Sequence, residues 1–123
     1  MAKELGQIEV QTPVSHGPAD VTRSLNRLGR CHLSIAGGKG ASLGAMLQVG
    51  LPVPEGFAVL TQAYEDFVAH NRLGESVRPL VEDVPPDDPQ WLAEAAQALK
   101  DRFMAGEIPA QVAQAIAQAY DRI

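Results

Sequence analysis

The sequence has a single cysteine, no long apolar run and no basic stripe, and each shortage removes a class of function. Cys31 alone cannot form an intrachain disulfide, so a reducing compartment suits the chain. No apolar stretch approaches the roughly 20 residues needed to cross a bilayer. Lys and Arg number 10 against 15 Asp and Glu, a net charge of -5, with acids gathered between Glu75 and Asp101. Nothing there would neutralise a nucleic-acid backbone, so neither nucleic acid nor membrane is expected as a partner. The start, from Met1 to Val10, carries acids where a secretory leader has its apolar stretch, and a cytoplasmic location is the expectation. At 123 residues the chain is about one domain, short for an enzyme that must enclose a nucleotide and a second substrate.

Two familiar phosphate loops are also missing. A Walker A loop requires a glycine five positions before the glycine of Gly-Lys and a Ser or Thr after the lysine, but Leu33 and Gly40 stand there. The dinucleotide fingerprint fails because Gly44 follows Gly38 and Gly40 one residue too late and no clear strand precedes them. The stretch Ile35-Ala36-Gly37-Gly38-Lys39-Gly40-Ala41-Ser42-Leu43-Gly44 nevertheless places three glycines around one lysine where irregular chain gives way to a helical pattern. Backbone without Cβ atoms can come close to a ligand, and an ammonium beside exposed amides suits a phosphate. The plainer alternative is a turn glycine with a solvated lysine. Cys31 and His32 are adjacent, seldom point at one centre, and have no partner at metal-ligand spacing, so a structural or incidental role is expected.

Along the chain, residues 1–23 read as a polar arm holding Pro13, Gly17 and Pro18, with Ile8-Glu9-Val10-Gln11 its only strand-like alternation. Leu25 to Leu28 predicts a short strand ending at Gly29. Leu43, Met46 and Leu47 predict the apolar face of a helix, Gly40 and Gly44 a close approach by another element, and Gly50 a left-handed cap. Pro52 and Pro54 force extended backbone before a buried strand from Gly56 to Leu60, and Thr61 is placed to cap a helix carrying Tyr64, Phe67 and Val68. Glu75 to Glu82 predicts a brief helix, limited by Pro79, with Val77, Leu80 and Val81 inward. Asp88 and Pro89 open a helix carrying Leu92, Ala95, Leu99 and Phe103 that Gly106 ends, and Pro109 opens a last one faced by Val112, Ile116, Tyr120 and Ile123. Helices around about two short strands make a helix-rich α+β fold. A sheet of two strands is marginal alone, and the apolar finish at Ile123 suggests a portion of something larger.

The glycine-lysine stretch, followed by Gly50-Leu51-Pro52-Val53-Pro54-Glu55-Gly56-Phe57-Ala58-Val59 and Ala63-Tyr64, resembles the amino-terminal start of the phosphoenolpyruvate synthase and pyruvate phosphate dikinase family, which includes the rifamycin phosphotransferases. The resemblance runs from about Leu25 to the end and takes in Ile108-Pro109 and Ala119-Tyr120. It implies that residues 24–123 are part of the first lobe of an ATP-grasp domain. There Lys39 would meet the phosphates of ATP, with Gly37, Gly38 and Gly40 forming the loop that positions it. In that family ATP passes its β-phosphoryl group to a histidine on another domain and then to pyruvate or a similar acceptor. The partners it implies are therefore ATP, Mg2+ held by residues outside this chain, and the remaining lobe and phosphohistidine domain. The segment would be inactive by itself. Ser15-His16-Gly17 lacks the glycine pair and the alanine of the phosphohistidine pattern and receives no role. A different class of function also fits, a stand-alone helical interaction module that keeps the start of the fold and uses its acidic, alanine-rich helices as a surface.

Overall fold

The structure, a computed structural model, describes residues 20–123. Ile8–Gln11 and His16 lie outside the described residues. Strand β1 (Thr22–Ser24) pairs antiparallel with β2 (Phe57–Val59) in the register Thr22 to Val59, Arg23 to Ala58 and Ser24 to Phe57. Two further main-chain bonds prolong the pairing, from Leu60 N–H to the Val21 carbonyl at 2.8 Å and from Leu25 N–H to the Gly56 carbonyl at 2.9 Å. Around this ribbon lie helices α1 (Leu33–Gln48), α2 (Thr61–His70), α3 (Leu73–Val81), α4 (Pro89–Met104) and α5 (Ala110–Tyr120), the helix-rich α+β arrangement that the sequence predicts. Among the described residues no helix is long and apolar enough to cross a membrane.

The first strand is not where the sequence suggested. Leu25 to Arg27 form a 3₁₀ turn, and the strand is the three residues before it. Leu25 and Leu28 are both buried, and a spacing of three places both on one side of a 3₁₀ turn, so packing outcompetes pairing there. The β2 run, expected to be buried, is only half covered, because the sheet is a bare ribbon and Val59 remains about half exposed.

Helix α1 also packs by another face than its apolar residues indicate. Leu43 and Met46 are exposed, and the buried positions are Gly40, Ala41 and Gly44. Leu28, fully buried, lies so close that a Cβ on Gly44 would stand 2.4 Å from its carbonyl carbon and oxygen. The close approach expected at Gly40 and Gly44 is thus real, and side chains of ordinary size cannot serve it. The helix ends as expected: Gly50 has φ +80, its N–H meets the Leu47 carbonyl and Leu51 N–H meets that of Met46, the paired bonds of a Schellman cap.

Further along, Thr61 does not cap α2. Leu60 holds the cap position, and the Thr61 hydroxyl faces the Ser34 carbonyl at 3.5 Å. Helix α3 begins at Leu73, its buried residue, two residues earlier than predicted, while Val81 is exposed rather than inward. Pro79 sits within it after the first turn and a half, so its missing N–H and ring act only near the end of the helix. Asn71 fastens the end of α2 to the connection between α4 and α5. Its Nδ2 donates to the carbonyls of Phe67 and Glu107 at 2.8 and 2.9 Å, and its Oδ1 accepts Glu107 N–H at 2.8 Å.

Helix α4 buries no residue completely, and Leu92 is exposed, but Phe103 stacks on Tyr64 and leans on Phe67. In α5, Val112 joins Val21 and Ala63 in a small core with Ile116 beside it, whereas Tyr120 and Ile123, expected on the same apolar face, are exposed. The opening of α4 follows the expected form: the Asp88 carboxylate accepts the N–H groups of Gln90 and Trp91 at 3.0 and 3.2 Å, with Pro89 in the first turn. Asp88→Ala is expected to lower stability by about 1 kcal/mol, read as a shift of the urea midpoint with unchanged slope.

Candidate functional site

The glycine-lysine stretch forms a corner inside α1. Gly37 has φ 70 and ψ 172, a backbone conformation outside the helical region that is essentially restricted to glycine, so Leu33–Ala36 and the segment running on to Gln48 are two helical pieces meeting at this residue. The three glycines have different duties. Gly37 makes the corner, and nothing lies within 4 Å of where its Cβ would be. Gly38 is equally open. Gly40 is buried, and its Cβ would stand 3.5 Å from that of Ala58 on β2 and 3.6 Å from Leu28 Cδ1, so it seats the helix on the sheet.

Lys39 lies between them, exposed, and among the described residues it forms no ion pair. No carboxylate among the described residues claims its ammonium. The helical piece that begins beyond Gly37 also points the positive end of its dipole toward the corner. Backbone free of Cβ atoms, a helix start and an available ammonium are together the components of an anion receptor.

Beside the corner runs an open, mainly apolar groove of about 510 Å³, walled by Ile35, Gly37, Val59, Tyr64, Phe67 and Val112 among others. Gly37 belongs to both corner and groove; Lys39 does not line the groove. Sequence reading takes most of these wall residues for core. The available signal was an excess of apolar residues on α2 and α5 over what so small a chain can enclose, since only Ala63 and Val112 of those helices become fully buried.

Cys31 and His32 do not build a second centre. Cys31 is exposed, its Sγ 3.5 Å from His32 Nδ1, and that same Nδ1 accepts Gly29 N–H at 3.1 Å, a local structural use of the ring. No group of three or more His, Cys, Asp or Glu among the described residues is arranged to hold a metal ion.

Fold and corner together define a helix-rich α+β segment that turns a glycine-lysine bend against an apolar groove. Residues 33–123 match the family described as pyruvate phosphate dikinase, AMP/ATP-binding domain, and the chain belongs to that family. It is an ATP-binding segment of the phosphoenolpyruvate synthase and pyruvate phosphate dikinase kind. Among its relatives, a probable phosphoenolpyruvate synthase of Methanocaldococcus jannaschii is 34% identical over 99 residues, which cover 80% of this chain and 8% of that protein. The phosphoenolpyruvate synthase of Pseudomonas aeruginosa is 35% identical over 101 residues, covering 79% of this chain and 13% of that protein. That of Synechocystis is 30% identical over 114 residues, covering 89% and 14%. The chain thus spans a small fraction of the length of each.

Proposed function

We propose that the corner at Gly37–Gly40 receives the phosphates of ATP, with Lys39 as the mobile cation and the amides around Gly37, Gly38 and Gly40 as fixed donors. The observation that carries this reading is the corner itself: a glycine-only conformation, open space over two glycines and a lysine with no ion pair among the described residues, in a chain whose family is an AMP/ATP-binding domain. A lysine brings a point charge on a flexible stem, able to follow a polyphosphate whose charge moves during transfer. The apolar groove that shares Gly37 offers a surface for the flat adenine while the phosphates reach the corner.

A protein of the length of its relatives, carrying this segment, would be an ATP-dependent phosphotransferase of the ATP-grasp class. It would pass the β-phosphoryl group of ATP to a histidine and then to pyruvate or a similar acceptor, in the cytoplasm. The Mg2+ that accompanies ATP would be held by carboxylates of the opposite lobe, outside this chain. This segment's share of the chemistry is to bind and orient the polyphosphate and to offset its charge.

Titration of ATP with Mg2+ into the chain, followed by calorimetry and by the amide resonances of Gly37, Gly38 and Gly40, tests the reading. These resonances are expected to move and saturate. Lys39→Ala is expected to weaken binding about tenfold or more, the loss of one charge-assisted contact. Equal affinity in the two proteins would remove the lysine from the site, and unmoved corner resonances would remove the corner.

A further inference from the structure

We infer that Gln48 is a positioning residue for the nucleotide corner, acting through Leu28 from more than two helical turns away. Gly40, Gly44 and Gln48 recur every four residues and so share one face of α1. That face is laid against a single residue. The main chain of Leu28 rests on Gly44, its side chain reaches Gly40, and its carbonyl accepts a hydrogen bond from Gln48 Nε2 at 3.0 Å. Leu28 is fully buried, so its carbonyl has no access to water, and the Gln48 amide is the donor that satisfies it. Gly29, also buried, lies beneath the same amide, where a Cβ would be 2.8 Å from Nε2.

Leu28 therefore bridges the two ends of the helical piece that starts at the corner. Gly40, beside Lys39, faces its side chain, where a Cβ would be 3.6 Å from Leu28 Cδ1, and Gln48 holds its main chain. Two attachments fix both the height and the tilt of a rigid rod. The hydrogen bond consequently determines how Gly40 sits on Ala58 of β2, and with it where the adjoining Gly38 and Lys39 stand. Releasing it leaves an enclosed carbonyl without a donor, and the least costly relief is for α1 to lift at that end and admit water. Gln48 is itself exposed, so replacing it opens no cavity.

The role rests on the reading that the corner receives ATP, and its test separates the two. Gln48→Met keeps the length and loses the donor, while Gln48→Lys keeps an N–H donor. In the ligand-free chain, Gln48→Met is expected to displace the amide resonances of Gly38, Lys39 and Gly40 and, on titration, to weaken ATP binding about tenfold. Gln48→Lys is expected to leave the corner resonances near their wild-type positions. Gln48→Glu supplies the comparison if the methionine variant does not stay folded. Its ionised carboxylate only accepts, but its protonated form donates, so the corner resonances should return toward wild type as pH falls through the carboxyl titration. Corner resonances that stay at wild-type positions in folded Gln48→Met, or that do not respond to the Gln48→Glu titration, would overturn the inference. That result would leave the nucleotide reading standing. Failure of wild-type chain to bind ATP would instead sink the nucleotide reading, while the ligand-free resonances still decide whether Gln48 places the corner.

Discussion

Gly44→Ala is expected to destabilise the chain by about 2 kcal/mol or more, although alanine is the better helix former by about 1 kcal/mol. The added methyl would lie 2.4 Å from the carbonyl carbon and oxygen of Leu28 and 2.7 Å from its Cβ. None of these atoms can be moved aside by a side-chain rotation, so either α1 or the 3₁₀ segment must shift. Gly38→Ala provides the contrast. It places a methyl on the same helix where nothing lies within 4 Å, so the propensity gain is not cancelled by a clash. Urea denaturation of the two variants should move the midpoint in opposite directions. A stabilised Gly44→Ala would show that α1 does not sit against Leu28 as described.

Leu28→Ala is expected to cost about 3 kcal/mol, since the side chain is fully buried beside the Gly40 and Gly44 face of α1 and its removal leaves a cavity that main chain closes poorly. The double variant Leu28→Ala with Gly44→Ala sharpens the point. Alanine at position 28 retains the carbonyl and Cβ that oppose a methyl at position 44, so the first substitution should not rescue the second. Rescue, measured as a double-variant cost clearly below that of Gly44→Ala alone, would mean that the contact is made by the outer leucine atoms instead.

How far these features could be read from the sequence depends on whether their cause is local. The Asp88 and Pro89 helix start, the Gly50 cap and the strand after Pro52 and Pro54 are decided within a few residues, and they were legible. The position of β1 was not, because three residues of β2 choose their partner by register, while Leu25 and Leu28 are drawn into the core. Nor was the packed face of α1. A large apolar residue marks a face that buries area, but here close backbone approach decides, and glycines leave no hydrophobic signal. Thr61 misled because the helix starts one residue earlier, with Leu60 at the cap position, and the Thr61 hydroxyl donates instead to the Ser34 carbonyl, which only the tertiary fold brings near.

The candidate site divides in the same way. Gly37, Gly38, Lys39 and Gly40 are contiguous, so their chemistry could be named before their geometry was known. The groove could not, since its walls are drawn from α1, β2, α2 and α5 and each contributes residues that look like ordinary core.

A helical piece with glycine at positions 38, 40 and 44 has little tendency to form unaided, as a glycine in a helix interior costs about 1 kcal/mol relative to alanine. Its order is borrowed from the turn it rests on, and such a loan runs in both directions. Any ligand that binds only the ordered corner must, by thermodynamic reciprocity, also lower the population of states in which Leu28 and Gly29, on the far side of the helix, are opened together with it.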